Sequence, residues 1–171
     1  MLSISQYDTE RKIMAQLTNI DRWAYINTGT VKAPNWARIG EGVTSMAPSN
    51  NPITDTKHYI NYKNSTTKVL GFGKQWALSM ERFTGDDAND FIAGLSEKTG
   101  QEVVTTLVIV EHHDSAAVTA KPATRYEVTV VVGGEGAITG GAAMDMDVTI
   151  YANGDPVVGT FNETTKAFTA S

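Results

Sequence analysis

His112-His113-Asp114 is the one run in this sequence whose residue types match a metal site. It falls at the end of a strand-like segment, where successive side chains point to opposite faces, so the two imidazoles do not converge on one ion. A solvated strand end accounts for it. His58, with Asp55 nearby and Ser45 further back, has the composition of a nucleophilic triad, but no Gly-x-Ser-x-Gly elbow presents a serine. Gly133-Gly134-Glu135-Gly136 and Gly140-Gly141 have the glycine content of a phosphate cradle. No Gly-Lys-Ser/Thr follows and no helix starts there to aim its amides at an anion, so a flexible connection between strands fits better. Asn64-Ser65-Thr66 and Asn162-Glu163-Thr164 match a glycosylation pattern that is frequent by chance.

Asp145 and Asp147 are two residues apart on one strand face and form a carboxylate pair of the kind used in metal binding or acid–base chemistry. Without a further His or carboxylate partner, they read as an acidic solvated face, one that would repel polyanions if it lined a channel. The sequence thus offers no catalytic residue, no cofactor-binding residue and no metal ligand, and an enzyme is not expected.

Composition narrows the function classes in the same direction. The chain has 171 residues, 19 acidic against 14 Lys and Arg, and a formal charge of -5. That length suits one domain (1–171) with a single core. The longest basic stretch is Arg11-Lys12, too little for phosphate binding by counterion release. Absence of cysteine excludes disulfides and thiolate zinc sites, leaving core packing or oligomerisation to supply stability. The N-terminal sequence has no basic region followed by an apolar one, and no segment approaches the roughly 20 apolar residues of a membrane span. Synthesis in the cytoplasm is expected.

The elements that must position these residues are mostly strands. Ile13, Met14 and Leu17 suit a short helix or docking arm within 1–21. Residues 23–29 and 36–39 read as a hairpin. Residues 40–57, with Gly40, Gly42, Pro48, Asn50, Asn51 and Pro52, read as a long interaction loop or extended hairpin tip. Strands are expected at 59–62 and 66–83, the second placing Leu70, Phe72, Trp76, Leu78 and Met80 on one face. Ala88, Phe91, Ile92 and Leu95 predict a helix over 86–99, with Asp86 and Asp87 at its start and Gly100 as its stop. Strands follow at 102–112, 125–132 and 144–151. Asn153-Gly154-Asp155 reads as a turn, with a final hairpin from 157–161 and 166–169. Many short strands with one isolated helix predict a mainly β fold, a two-sheet sandwich or barrel with one flanking helix.

Trp36-Ala-Arg-Ile-Gly-Glu-Gly-Val-Thr-Ser-Met, the run Asn51-Pro-Ile-Thr-Asp-Thr-Lys-His-Tyr-Ile, and Asp147-Val-Thr-Ile-Tyr-Ala-Asn-Gly-Asp-Pro-Val-Val-Gly-Thr-Phe resemble segments of the major tail proteins of long, non-contractile-tailed bacteriophages. The resemblance extends from about Trp23 onward as an overall match without a diagnostic motif. It implies hexameric rings whose inner strands join into a continuous barrel, stacked into a virion tail tube through which DNA passes without specific binding. The implied partners are further copies of the chain, tail tip and tail terminator proteins and a tape measure protein; no cofactor is implied. On this sequence the ring-stacking loop would be 40–57, carrying Ser45, Met46, Pro48, Asn50, Asn51, Pro52, Ile53 and Asp55, and Asp145 and Asp147 would mark an acidic lumen face. Two other readings fit the same sequence: a tube subunit of a contractile injection or secretion system, and a monomeric carbohydrate- or protein-binding sandwich using Trp23, Trp36 and Tyr59.

Overall fold

The computed structural model describes residues 21–112, 118–136 and 140–171. The expected N-terminal arm up to residue 20, together with His113 and Asp114, lies outside the described residues. The N-terminal hairpin forms as expected from β1 (Arg22–Asn27) and β2 (Trp36–Ile39). Its turn is held by buried Asn27, whose Oδ1 accepts from the backbone amides of Gly29 at 3.0 Å and Asn35 at 2.9 Å.

Eight antiparallel strands build the main sheet. Besides β1 and β2 these are β3 (Val43–Ser49), β6 (Gln75–Glu81), β7 (Val104–Glu111), β8 (Lys121–Gly134), β9 (Asp145–Asn162) and β10 (Ala167–Ala170). The order is β2-β1-β7-β8-β9-β6-β3, with β10 on the C-terminal part of β9. Between β3 and β6 the chain leaves the sheet as a separate hairpin of β4 (Pro52–Lys57) and β5 (Thr66–Phe72).

The expected 40–57 loop is therefore corrected: its first half is an edge strand of the sheet and its second half one side of a hairpin. Pro48 is compatible with this because an edge strand tolerates a missing amide donor. The single strand expected over 66–83 is divided at Gly73-Lys74, and residues 59–62 form a turn rather than a strand. Asn153-Gly154-Asp155 does not turn the chain either. It is a bulge within β9, where Gly154 adopts φ +65° and Arg125↔Val157 follows Glu127↔Asn153 in the register with β8.

Strands from both ends of the sheet converge on one core. Ile26 of β1, Ile39 of β2, Leu107 of β7, Val128 of β8, Val148 of β9 and Leu78 of β6 belong to one buried cluster. The sheet must therefore curl around it as a half-barrel. The helix α1 (Asp87–Ala93) closes the open side with Ala88 and Ile92, and Leu95 follows just beyond. A second cluster on the opposite face comprises Tyr25, Trp36, Val108, Val110, Ala123 and Phe161. The run Leu107–Val110 is apolar throughout because alternate residues feed the two clusters.

The helix is shorter than the expected 86–99. Asp86 caps it, accepting from the Asn89 amide at 2.8 Å, and it ends at Gly94; Leu95 reaches the core from a turn, which extends the helical periodicity past the helix itself. Asn89 ties the helix to the strand before it, donating to the Glu81 carbonyl at 2.8 Å and accepting from the Phe83 amide at 3.2 Å. Arg82 pairs with Asp90 at 2.6 Å.

Hydrogen bonding from the Gly85 amide, then from Arg82, holds the Asp90 carboxyl below its ordinary value of 3.8. A depressed carboxylate contributes stability above its unfolded pKa and loses it as pH falls through the folded value. Asp90→Asn should therefore leave stability at neutral pH lower than in the parent, with the gap closing below about pH 4. Thermal melts between pH 2.5 and 7 test this; a gap that stays constant into the acid range would assign the loss to something other than ionisation.

Candidate functional site

The four strands β3, β6, β9 and the C-terminal half of β8 present a solvent-exposed face whose composition follows from register. One row across the strands is Ser49, Gln75, Tyr151 and Thr129; the next is Ala47, Ala77, Thr149 and Val131; the next is Ser45, Ser79, Asp147 and Gly134. Glu81 and Asp145 face each other below these rows. The intervening residues Trp76, Leu78, Met80, Met146, Val148 and Ile150 point the other way into the core.

This outer face consists mostly of small, hydroxylated and acidic side chains, with Gln75 and Val131 among them. Residues 43–49, 75–81, 126–134 and 145–153 contain no Lys or Arg, although they contain Glu81, Glu127, Asp145 and Asp147. Flanking cations are turned elsewhere: Arg82 to Asp90, and Lys74 to the Tyr126 hydroxyl at 3.0 Å. Like charges directly opposite each other on a sheet destabilise it, so the Glu81–Asp145 pair is an arrangement that packing alone does not favour.

Both edges of this four-stranded unit are open among the described residues. β3 pairs only with β6. β7 pairs with β8 only as far as Thr129, leaving Val130–Gly134 paired on the β9 side alone. Open edges are ready templates for another chain.

The β4–β5 hairpin is the second distinctive feature. None of its residues enters either core cluster, and Ile53, Val69, Leu70 and Phe72 are each more than half exposed. At its tip Tyr59 and Tyr62 meet edge to face at 6.2 Å beside a fully exposed Ile60. The pairing Pro52↔Phe72, Thr54↔Val69 and Thr56↔Thr67 gives one uncharged face, whereas Asp55, Lys57 and Lys68 occupy the other.

The structure separates the expected stacking residues. Ser45 lies on the exposed sheet face, Met46 packs half-buried against the core, and Pro48 sits opposite Trp76. Asn50 and Asn51 mark the exit from the sheet; Pro52, Ile53 and Asp55 belong to the hairpin. The expectation that Leu70 and Phe72 share one strand face with Trp76 is corrected, since the strand breaks at Gly73-Lys74 and both residues are about two-thirds exposed, at 67% and 66%. Apolar content alone did not distinguish this arm from core. The signal available was Gly71 and Gly73 flanking Phe72, where the strand breaks.

The remaining chemical residues are drawn into packing or pairing. His112 Nδ1 lies 3.0 Å from Glu163, and its ring stacks at 3.9 Å on Trp23, which also carries Arg38 at 3.8 Å on its ring. Asp55 pairs with Lys57 at 3.3 Å rather than with His58. Trp36 is buried, so of the three aromatics suggested for a binding module only Tyr59 is substantially exposed. Burial, reinforced by the Glu163 carboxylate, pushes the Tyr25 hydroxyl above its ordinary range. No group of three or more potential metal ligands occurs among the described residues, and no helix among them is long and apolar enough to cross a membrane.

Neither a family model nor a curated protein sequence matches this chain. Among solved structures, it is similar to a chain of the PVC sheath/tube terminator of an extracellular contractile injection system, in its extended state. The TM-score is 0.53 at 8% identity, covering 85% of this chain and 98% of the other. The PVC sheath-tube complex gives a TM-score of 0.49 at 13% identity, covering 94% and 99%. The anti-feeding prophage baseplate gives 0.49 at 8%, covering 85% and 97%. The likeness to the terminator is one of fold: a mainly β, tail-tube-like architecture.

Proposed function

We propose that this chain is a structural subunit of a phage-tail-like apparatus, in which copies join edge to edge into a six-membered ring and rings stack into a tube. The observation that carries this reading is the cation-free four-stranded face with an open strand at each side. Along β3-β6-β9-β8 the strands alternate in direction, so β3 and β8 run oppositely. Rotation about a ring axis preserves strand direction relative to that axis. Placing β3 of one copy beside Val130–Gly134 of the next therefore continues an antiparallel sheet without a break, and a closed ring of such units removes both edges.

The wall so formed would carry Asp145, Asp147, Glu81 and Glu127 and would hold no polyanion passing along it. The exposed β4–β5 arm, which includes the 52–57 part of the segment expected to stack rings, is the element proposed to bridge them. Since the terminator of similar fold belongs to a contractile injection system, a contractile apparatus is favoured over a non-contractile tail. No step in this role requires catalysis.

Negative-stain electron microscopy of the purified, concentrated protein tests the proposal. Rings or hollow tubes are the expected result. Compact particles at every concentration, with a monomer mass by light scattering, would reject it.

A further inference from the structure

Resting on the bridging role of the arm, we propose that the tip of the β4–β5 hairpin of one copy seats in a cleft at the base of the same hairpin in a second copy. The cleft is open to solvent, measures about 520 Å³, and has Phe72, Lys74, Tyr126, Ala152, Asp155 and Pro156 among its lining residues. It lies at the β9 bulge, where the register with β8 passes from Glu127↔Asn153 to Arg125↔Val157 and leaves Tyr126 and Gly154–Pro156 out of it, beside Lys74, whose carbonyl accepts from the Ala152 amide at 2.9 Å.

The two ends of the arm are complementary. The tip offers apolar Ile60, Tyr59 and Tyr62, with Lys63 beside them. The cleft offers the apolar surfaces of Phe72, Ala152 and Pro156 together with an anion, Asp155, that has no ion pair among the described residues. Its cation is already engaged: the Lys74 ammonium bonds the Tyr126 hydroxyl and lies 5.4 Å from the Trp76 ring centre. Lys63 of an incoming tip thus has a free carboxylate to meet.

A copy cannot satisfy its own cleft. The six residues of β4 span roughly 20 Å and keep tip and base apart. A knob at one end of an arm and a hole at the other make a heterologous contact, and one whose operator is a translation along the tube axis extends as an open line of copies.

Cysteine cross-linking decides the matter, because the parent contains no cysteine. Ile60→Cys combined with Pro156→Cys should give, in assembled protein under mild oxidation, a ladder of covalent multimers that collapses on reduction. Ile60→Cys with Val31→Cys on the β1–β2 turn should give none. In parallel, Lys63→Glu should raise the protein concentration needed for tubes by up to about fivefold, and adding Asp155→Lys should restore it. Tubes that form without the cleft ladder, or with equal ladders from both cysteine pairs, would overturn the cleft while leaving the arm as the bridge. Failure of the parent to assemble at all would overturn both.

Discussion

Excising Pro52–Phe72 is expected to leave a folded, ring-forming subunit that builds no tubes. Asn51 and Gly73, which the deletion would join, already touch: the Gly73 amide donates to the Asn51 carbonyl at 3.0 Å, and Asn51 Nδ2 donates to the Gly73 carbonyl at 3.1 Å. The shortened connection would run Asn50-Asn51-Gly73-Lys74 between Ser49 and Gln75, which are already partners in the sheet. Its centre would read Asn-Gly, the dipeptide most suited to a tight hairpin turn. Nothing from the excised arm reaches either core cluster. Loop shortening itself changes stability little, so the melting temperature should stay within about 5 °C of the parent. Electron micrographs of the deletion variant should show rings alone. Tubes of normal length would remove the arm from any role in stacking.

Reversing charge on the exposed sheet face, with Asp145→Lys and Asp147→Lys together, should convert an assembly indifferent to DNA into one that holds it. In a ring every copy contributes two such positions, so the wall gains cations at a density able to displace condensed counterions from phosphate. Engagement of 6 to 10 phosphates predicts an affinity that falls roughly 10³- to 10⁵-fold between 50 and 200 mM salt. The substitution should not unfold the subunit. Asp145 stands opposite Glu81, so lysine there replaces a like-charge cross-strand pair with an opposite one, a gain of about 0.2 to 1 kcal/mol. Binding of double-stranded DNA measured against salt for parent and variant assemblies is the readout. A parent that already binds as tightly as the variant would mean that this face does not line a channel.

Much of the architecture was legible in the residues. The alternation Met146, Val148, Ile150 against Asp145, Asp147, Thr149 assigned β9 its two faces, and the structure buries the first set while exposing both aspartates. Asp86 before Ala88 and Ile92 located the start of the helix. Strand-forming runs on either side of turn residues mark both the first and the last hairpin. Those features rest on local chemistry: a period of two, a cap, a turn residue.

Other features have no local cause. Val43–Ser49 carries serine, threonine, alanine and proline because one side faces solvent and the strand lies at an edge, so its composition is that of a loop until β6 is placed beside it. Leu70 and Phe72 have the pattern of core residues; Gly71 and Gly73 mark a break in the strand, but it is the departure of β4 and β5 from the sheet that leaves no core beneath them. Asn153-Gly154-Asp155 has the chemistry of a turn, yet β8 holds the chain extended on both sides of it and reduces it to a bulge. The sequence by itself determined which side chains alternate, where the helix begins, and that no constellation for catalysis is present at legible spacing. Tertiary structure alone decided which strands are edges, which apolar residues are left in solvent, and that four segments far apart in the chain combine into one cation-free face. Strand neighbours are fixed by long-range pairing, whose free energy depends on the whole sheet rather than on any window of residues.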